Sequence, residues 1–556
     1  MLLLSTTFSF IAMTIVATTF LLVSVFYAHT GSLTRFLHRL GFVYLIYYLW
    51  LESSGIVLTN YLSLSEAFLE IAQEDSLFFR LFFIYSTFTL AIFFFGVADR
   101  FFLSKRGRIE FPILLLFLHL GGLFALRLHT FRDRLIALER VTLASYVFVT
   151  FERQNRFSTY AGVQYFILGS FPSAMLLLAF ALFYLQSGSR AFQDMDLFFN
   201  TTYELSSCNF ITDETTKLSY RNSNMSKNFI NVSTQLVIPL LEGNGEFYSA
   251  FPMDKIESIA SSLNPINSRT VVALGLLFFN FFFKITAAPF HVWAPSVYGK
   301  APTASVAILS IYSKLLIFFI RFKLINSFIH TFSSITSRIF LSLGTLSIFV
   351  GRIGAFSEKQ IKSFFVYSSM GHVGFRLIGL GLNSLEGASA TFTYLAIYIL
   401  TSFVRWFLLL TRGRQNTHLS HLGSLKSSNP LLAILFAFIV FSRSGIPPLG
   451  GFFVKLDILS SLLDSAHFFL TYIIFIFTVI SFFYYLRVIK IRFFDMQENV
   501  RSAPLLSFSA IDFSEYPRNG GRLWIRSSIL IFLAVYLIIV QKPLRAIQYE
   551  VLGTLY

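Results

Sequence analysis

The stretch "VVALGLLFFNFFFKITAAPFHVWAPSVYGKAPT" (271–303) joins a long apolar run to a lysine and three prolines. The run before Lys284 is almost as apolar as a lipid tail, which suits a helix inside a membrane. Pro289, Pro295 and Pro302 follow the lysine. Because proline lacks a backbone N–H and clashes with the preceding turn, a regular helix cannot continue through them. The stretch therefore predicts a membrane-spanning helix that breaks just after a lysine.

The composition of the whole chain predicts a membrane protein with many spans. Of its 556 residues, 55% are hydrophobic and 13% are charged, whereas about 25% of the residues of an average soluble domain are charged. The formal net charge of +16 is expected from basic loops that orient membrane helices, and it needs no nucleic-acid partner. Segment 1–28 lacks the basic start and cleavage site of a secretory signal, so we interpret it as a first span.

Residue types and motifs that hold cofactors are scarce in this sequence. Cys208 is the single cysteine, so the chain has no cysteine cluster for an iron–sulfur centre or zinc. It also has no glycine-rich dinucleotide motif after a predicted strand and no P-loop. We therefore expect no cofactor and no metal site in this chain.

Apolar segments long enough to cross a membrane recur along the chain. At about 20 residues per span, the sequence predicts fourteen: 2–27, 38–60, 77–98, 110–128, 132–151, 158–186, 269–292, 301–320, 334–356, 361–382, 388–411, 430–463, 468–490 and 524–541. Segment 132–151 is irregular because it carries five charged residues, and 430–463 because it contains "GIPPLGG". We predict an all-α polytopic membrane protein of about fourteen transmembrane helices, two of them broken, near 284–295 and 445–451.

The pattern of spans divides the chain into three parts. Residues 1–128 form a predicted four-helix segment, 129–490 a core, and 491–556 a C-terminal loop with the last span. A polar insertion at 187–268, rich in Asn, Ser and Thr, interrupts the core, and we interpret it as a loop that could cover neighbouring subunits. Each proline-broken segment holds a lysine, and paired broken helices are typical of ion sites in inverted-repeat transport folds.

Four ionisable residues inside the predicted spans indicate a proton relay. They are Glu139, Lys284, Lys314 and Lys455, and each costs at least about 2.5–3.5 kcal/mol at a helix centre. Burial disfavours the charged form of a lysine, whereas a nearby carboxylate favours it. A lysine whose partner approaches and withdraws can therefore take up and release a proton, and a helix break can line a water-filled path to it. The alternative is that each lysine extends to the membrane interface.

Two histidines and three arginines in apolar surroundings are weaker candidates. His291 follows a proline by two residues, and His372 lies in "YSSMGHVGF". Either could belong to the relay or be a structural histidine whose hydrogen bonds are satisfied. For the arginines we favour pairing with partners or a place at the interface; they are Arg376, Arg405 and Arg443.

Three segments resemble motifs of the proton-translocating, antiporter-like membrane subunits of respiratory complex I. Segment 283–319 is similar to the family pattern in which a lysine precedes "PFHxWxPDxYxGAPT" and a second lysine lies about 30 residues on; here Lys284 and Lys314 are 30 residues apart. Segments 360–381 and 444–459 resemble the patterns "IKRLLAYSSIGHVGY" and "AGIPPxxGFxxKFxL". The resemblance implies an antiporter-like inverted-repeat fold for the core.

An upstream match indicates one branch of this family. Segment 110–174 resembles the branch called subunit 2 in mitochondria and subunit N in bacteria, where "LELxSLxxYVL" carries a glutamate and "STEAGxKYFxLGAFSS" follows. The resemblance implies that Glu139 and Lys284 form a charge pair. It implies a central relay role for Lys314 and an output role for Lys455.

The resemblance also implies the setting in which the chain works. NADH oxidation and quinone reduction in other subunits would drive proton translocation here, so NAD, FMN, iron–sulfur clusters and ubiquinone would bind elsewhere. The chain would be an enzyme subunit without its own redox centre, in contact with subunits 4, 4L and 5, accessory subunits and lipids such as cardiolipin. Its 71 phenylalanines, whose codons are rich in T, favour an organelle gene and hence the mitochondrial inner membrane. The alternatives are a stand-alone cation/proton antiporter subunit and a structural scaffold with a degenerate relay.

The sequence departs from the family patterns at several positions. Gln164 stands where the pattern has a lysine, and Ser296 where it has an aspartate. "YGKAPT" (298–303) replaces "YEGAPT", and Arg140 directly follows Glu139. Because glutamine does not titrate, a relay that enters through this position needs water or another group.

Overall fold

The computed structural model describes residues 107–128, 130–192, 268–324, 332–410, 430–447 and 449–494, with short pieces at 194–195, 198–199 and 418–419. Four predicted spans lie outside these ranges: 2–27, 38–60, 77–98 and 524–541. Most of the 187–268 insertion and all residues after 494 also lie outside them. The predicted count of fourteen helices and the three-part division therefore stay predictions.

The regular structure in the described ranges is helical, apart from two isolated β-bridges. The helices are α1 Gly107–Arg127, α2 Phe131–Val149, α3 Arg156–Ser187, α4 Ser268–Ile285, α5 Trp293–Lys300, α6 Thr303–Leu324, α7 Ser333–Ser357, α8 Ile361–Gly381, α9 Leu385–Leu410, α10 Pro430–Ser444, α11 Gly450–Asp464 and α12 Phe468–Phe493.

Each span predicted within the described ranges coincides with one helix or one broken pair. Five of the described helices are long and apolar enough to cross a membrane: α3, α6, α7, α9 and α12. The apolar cores of α1 and α10 are shorter, at Ile113–Leu126 and Ala433–Ser444. The apolar windows of α6 and α9 are 89% and 82% buried, against 33% for α3 and 22% for α12. Helices α6 and α9 therefore form the centre of the described bundle, and α3 and α12 lie at its edge.

Both predicted helix breaks are present. Helix α4 ends at Ile285, seven residues before the predicted end at 292, because Thr286 adopts a left-handed φ of 62°. The turn after it is tied to α7 through Ala288 N, which donates to Ser347 Oγ at 2.9 Å. Helix α10 ends before Gly445, whose φ of +89° suits glycine, and α11 begins five residues later.

A third irregularity in the backbone was not predicted. Within α6, residues Leu309–Ser313 form a π-helical turn, and Lys314 begins the α-helical part that follows. A π-turn is a rare insertion that is frequent at functional sites. Elsewhere the helices are regular enough to pack tightly: at the α7–α8 contact a Cβ on Gly374 would lie 2.5 Å from the Gly344 carbonyl. Such small-residue contacts are typical of membrane helices.

Candidate functional site

Glu139 and Lys284 lie on neighbouring elements without forming a direct ion pair. The Glu139 carboxylate, on α2, accepts a hydrogen bond from Thr142 Oγ1 at 3.0 Å. Lys284 lies in the last turn of α4, where its ammonium is buried and donates to no atom in the described part of the chain. The two side chains interact electrostatically, yet no nitrogen–oxygen distance between them is 4.0 Å or less. The sequence-predicted pair therefore interacts electrostatically without direct contact.

A cavity of about 20 Å³ adjoins Lys284 and is lined by Arg134, Asn280 and apolar side chains of α2, α3, α4 and α6. This volume holds about one water molecule. Asn280 lies one helical turn before Lys284, and its buried Oδ1 accepts no hydrogen bond from the described residues. A water here can accept from the ammonium and donate to the amide oxygen. Sequence reasoning missed Asn280, although an amide in an apolar run, four residues before a lysine, was a usable signal.

The two main departures from the family pattern contact each other. Gln164 Nε2, on α3, donates to Ser296 Oγ, on α5, at 3.1 Å. The serine hydroxyl donates in turn to the Trp293 carbonyl at 2.8 Å. A neutral hydrogen bond therefore occupies the position where the pattern places a lysine and an aspartate.

Lys314 is fully enclosed at the centre of the described bundle. It is 1% exposed, and its Nζ donates to Ser369 Oγ on α8 at 2.9 Å. The serine hydroxyl donates onward to the Val366 carbonyl at 2.8 Å. Because Lys314 follows the π-turn directly, the insertion sets the direction from which the ammonium meets α8.

His372 lies in a network of hydroxyl groups that joins α8, α9 and α12. Its Nδ1 is 2.7 Å from the hydroxyl of Tyr394, and its Nε2 is 3.2 Å from that of Tyr485. Tyr485 also hydrogen-bonds Ser368, the neighbour of Ser369. Both ring nitrogens thus have partners, as the structural interpretation requires, and those partners are themselves able to carry protons. No sequence motif pointed to the two tyrosines.

Lys455 closes the second helix break. Its Nζ, on α11, donates to the carbonyls of Arg443 and Ser444 at 2.9 and 2.8 Å. These carbonyls belong to the last turn of α10, where backbone acceptors lose their helical partners and a cation is favourable. The lysine therefore caps the helix that precedes its own.

The remaining sequence candidates fall into two groups. His291 lies in the turn after α4, half-buried, with its ring centroid 6.2 Å from that of Tyr367, and it joins none of the hydrogen bonds described above. The three arginines are buried, not at an edge of the bundle, and within the described residues they form no ion pair with a carboxylate: Arg376, Arg405 and Arg443. Across the same residues, no group of three or more metal-ligating side chains is found.

Known proteins share both the sequence and the fold of this chain. The model of the family "NADH:quinone oxidoreductase/Mrp antiporter, TM" matches residues 131–217 and 240–481. NADH-quinone oxidoreductase subunit N of Rhodospirillum rubrum is 27% identical over 70% of this chain and 69% of its own length. NADH-ubiquinone oxidoreductase chain 2 of Marchantia polymorpha is 30% identical over 71% and 70%. A chain of Thermus thermophilus respiratory complex I superposes with a TM-score of 0.62 at 20% identity, over 96% of both chains.

Proposed function

Because this chain belongs to the NADH:quinone oxidoreductase/Mrp antiporter family, in its subunit N and chain 2 branch, we propose that it moves protons through Glu139, Lys284, Lys314 and Lys455. In this proposal it is a membrane-arm subunit of complex I, and quinone reduction elsewhere in the complex supplies the free energy. The chemistry within this chain is proton transfer alone.

The observation that supports the relay most strongly is where the three lysines lie along the backbone. Lys284 directly precedes the first break, Lys314 follows the π-turn, and Lys455 spans the second break. At each place the backbone departs from a regular α-helix, so its polar groups are available to water or to the ammonium. Three lysines that merely extend to an interface would not all need such a place.

Hydrogen-bonding groups lie between the last two lysines. Lys314 donates to Ser369, and the neighbouring Ser368 begins a second set that runs through the Tyr485 hydroxyl to His372 and the Tyr394 hydroxyl. Among the described residues no hydrogen bond joins Ser369 to Ser368, because the Ser369 hydroxyl donates to the Val366 carbonyl. Tyr394 and Lys455 line the same cavity of about 20 Å³. One water there and one between the two serines would complete the path.

The wider setting is part of the same proposal. NAD, FMN, iron–sulfur clusters and ubiquinone would bind other subunits, and this chain would hold no redox centre. Its neighbours would be subunits 4, 4L and 5, accessory subunits and lipids such as cardiolipin. The plant relative named above is a chain 2 protein, which together with the phenylalanine-rich composition supports the mitochondrial inner membrane as its place.

Replacing the first lysine tests the relay. We expect Lys284→Ala to abolish proton translocation by the intact, reconstituted complex, because the ammonium that exchanges the proton is gone. NADH oxidation by an artificial acceptor should persist, since it needs no proton path. Lys300→Ala is the matched control, because Lys300 is exposed and lies over the Tyr160 ring. Proton translocation at the normal rate in Lys284→Ala would refute the role assignment.

The two alternatives predict different behaviour. A stand-alone antiporter would assemble and exchange cations without NADH-oxidising subunits, and co-purification of this chain with NADH oxidation would exclude it. A scaffold with a degenerate relay would tolerate Lys284→Ala, Lys314→Ala and Lys455→Ala together without loss of proton translocation.

A further inference from the structure

Three buried arginines converge beside the relay and have unused hydrogen-bond donors. Arg376 on α8, Arg405 on α9 and Arg443 on α10, here called the arginine cluster, are each 3% exposed or less. Seven of their guanidinium nitrogens donate to no atom of the residues that the structure describes. Lys314 lies in the field of all three, and Lys455 in that of Arg443. Like charges in a low-dielectric interior repel strongly.

Aromatic rings offset only part of this charge. The guanidinium carbons of Arg376 and Arg443 lie 4.3 and 5.1 Å from the ring centroid of Tyr398, and that of Arg405 lies 4.4 Å from the Phe365 ring. Such cation–π contacts are weaker than the penalty for removing an unpaired cation from water. In the described part of the chain no carboxylate comes within 4.0 Å of these arginines. Within the described residues the positive charge of the cluster is therefore only partly offset, and an anion bound beside it would offset more.

The cavity beside Lys455 has the size and the lining for such an anion. It measures about 20 Å³ and is lined by Arg443, Lys455, Tyr398, Tyr394 and His372, with four less polar or smaller neighbours and Ser442. Arg443 Nε and Nη1 and the Tyr398 hydroxyl form no hydrogen bond with any described residue. The lining contains donors and no carboxylate. The volume of about 20 Å³ exceeds the roughly 10–15 Å³ that one water needs and is far too small for phosphate, sulfate or a carboxylic acid, so an anion that fits it is monatomic.

We propose that this cavity is a binding site for one monatomic anion of the chloride class, held by Arg443 and Tyr398 beside Lys455. The anion would offset the mutual repulsion of Arg443 and Lys455. Lys455 has a third N–H beyond the two it donates to α10, and this N–H can also meet the anion. The site is independent of whether protons move through the chain.

Maps of the intact complex in different salts test the site directly. The complex is turned over with NADH in chloride, in bromide or in gluconate, which is too large for the cavity, and then imaged by electron cryo-microscopy. We expect a peak within reach of Arg443 and Tyr398 in chloride, a stronger peak in bromide, and a loss of the peak in gluconate. The same peak in all three salts would identify water. Density continuous with a protein carboxylate would identify a side chain from elsewhere, and either result overturns the proposal.

A functional readout separates this site from the relay itself. We expect the rate of proton translocation to fall severalfold in gluconate, and Arg443→Leu to lose this chloride dependence. Arg492→Leu is the matched control, a buried arginine outside the cavity lining, and it should keep the dependence. If Arg443→Leu does not assemble, the salt series on the unaltered complex still decides. If the proposed function is wrong, proton translocation by this chain will be absent in chloride, bromide and gluconate alike. If only the anion site is wrong, the rate of proton translocation will be the same in all three salts.

Discussion

At Gln164 and Ser296, two neutral side chains meet where the family pattern has a cation and a carboxylate. The contact joins α3 and α5 across 132 residues of sequence. Neither group can bind an extra proton near neutral pH. In the relay proposed above, protons would therefore reach Lys284 through Glu139 or through the water-sized cavity at Asn280. The two replacements compensate each other, since a lone lysine or a lone aspartate here would have lacked a partner.

This compensation can be tested by restoring the charges singly and together. We expect Gln164→Lys alone to destabilise the subunit by about 3 kcal/mol or more, because an unpaired cation would lie in a half-buried contact. Gln164→Lys with Ser296→Asp should recover most of that loss. The readout is the amount of assembled complex and its thermal stability. A double variant no more stable than the single one would contradict the compensation.

Ser369 gives a second prediction at this scale. Ser369→Ala removes the oxygen that Lys314 Nζ contacts, and a hydrogen bond to a charged group contributes about 1.5–3 kcal/mol. We expect proton translocation to slow while NADH oxidation by an artificial acceptor persists. Ser342→Ala on α7 removes an exposed hydroxyl that bonds only its own helix, and it should change neither. Equal rates in the two variants would remove Ser369 from the path.

The three candidate lysines could be picked out from sequence because a lysine in an apolar span is rare and costly; their role in a relay stays a prediction. The tyrosines that hydrogen-bond His372 could not be predicted in this way. Tyr485 and Tyr394 lie 113 and 22 residues from His372, and tyrosines on apolar helices usually serve packing. Only the arrangement of α8, α9 and α12 brings their hydroxyls to the imidazole.

Among the elements, the two breaks were predictable and the π-turn was not. Clustered prolines favour a break, which is why the interruptions after Lys284 and before Lys455 were expected. A single proline need not end a helix, since Pro172 lies inside α3 and Pro295 inside α5. The π-turn at Leu309–Ser313 contains no proline or glycine, so nothing in its composition distinguishes it from a regular helix. The end of α4 at Ile285 falls where the break was predicted, just after Lys284, although the predicted span extended to 292.

The second break depends on Gly445. A side chain there is strained at a φ of +89°, and its Cβ would lie 3.0 Å from Lys455 Nζ. We expect Gly445→Ala to cost about 1–2 kcal/mol from the left-handed backbone, to displace the lysine, and to lower proton translocation. Gly275→Ala on α4, where no atom lies within 4 Å of the added Cβ, should be neutral or slightly stabilising. Comparison of assembly and proton translocation in the two variants checks this.

At the scale of the whole molecule, the three candidate lysines lie among helices whose buried fractions differ. Helix α3 exposes an apolar face within the described residues, whereas α6 and α9 are surrounded. Hydropathy predicts that all of them are spans, but it cannot rank them by depth in the bundle, because lipid and protein interior are similarly apolar. That ranking comes from the tertiary contacts.

The apolar face of α3 gives a prediction about assembly. Leu177 is 57% exposed and lies ten residues from the helix end at Ser187, about 15 Å along the axis. We expect Leu177→Arg to reduce assembly, since a charge at that depth costs about 2.5–3.5 kcal/mol. Leu185→Arg, two residues from the end, should be tolerated because its side chain can reach the interface. Equal complex levels in both variants would place α3 outside the apolar layer.

Lys455 donates to the carbonyls that end α10, so the protonation of Lys455 and the geometry of the junction between α10 and α11 depend on each other. The ammonium stabilises the angle between α10 and α11, so the junction must stabilise the bound proton by the same free energy, as reciprocity requires. A conformational change that bends this junction would change the proton affinity of Lys455. Loss of the proton would in turn weaken the contact between α10 and α11. The free energy of the junction between α10 and α11 and the free energy of proton binding at Lys455 are therefore coupled.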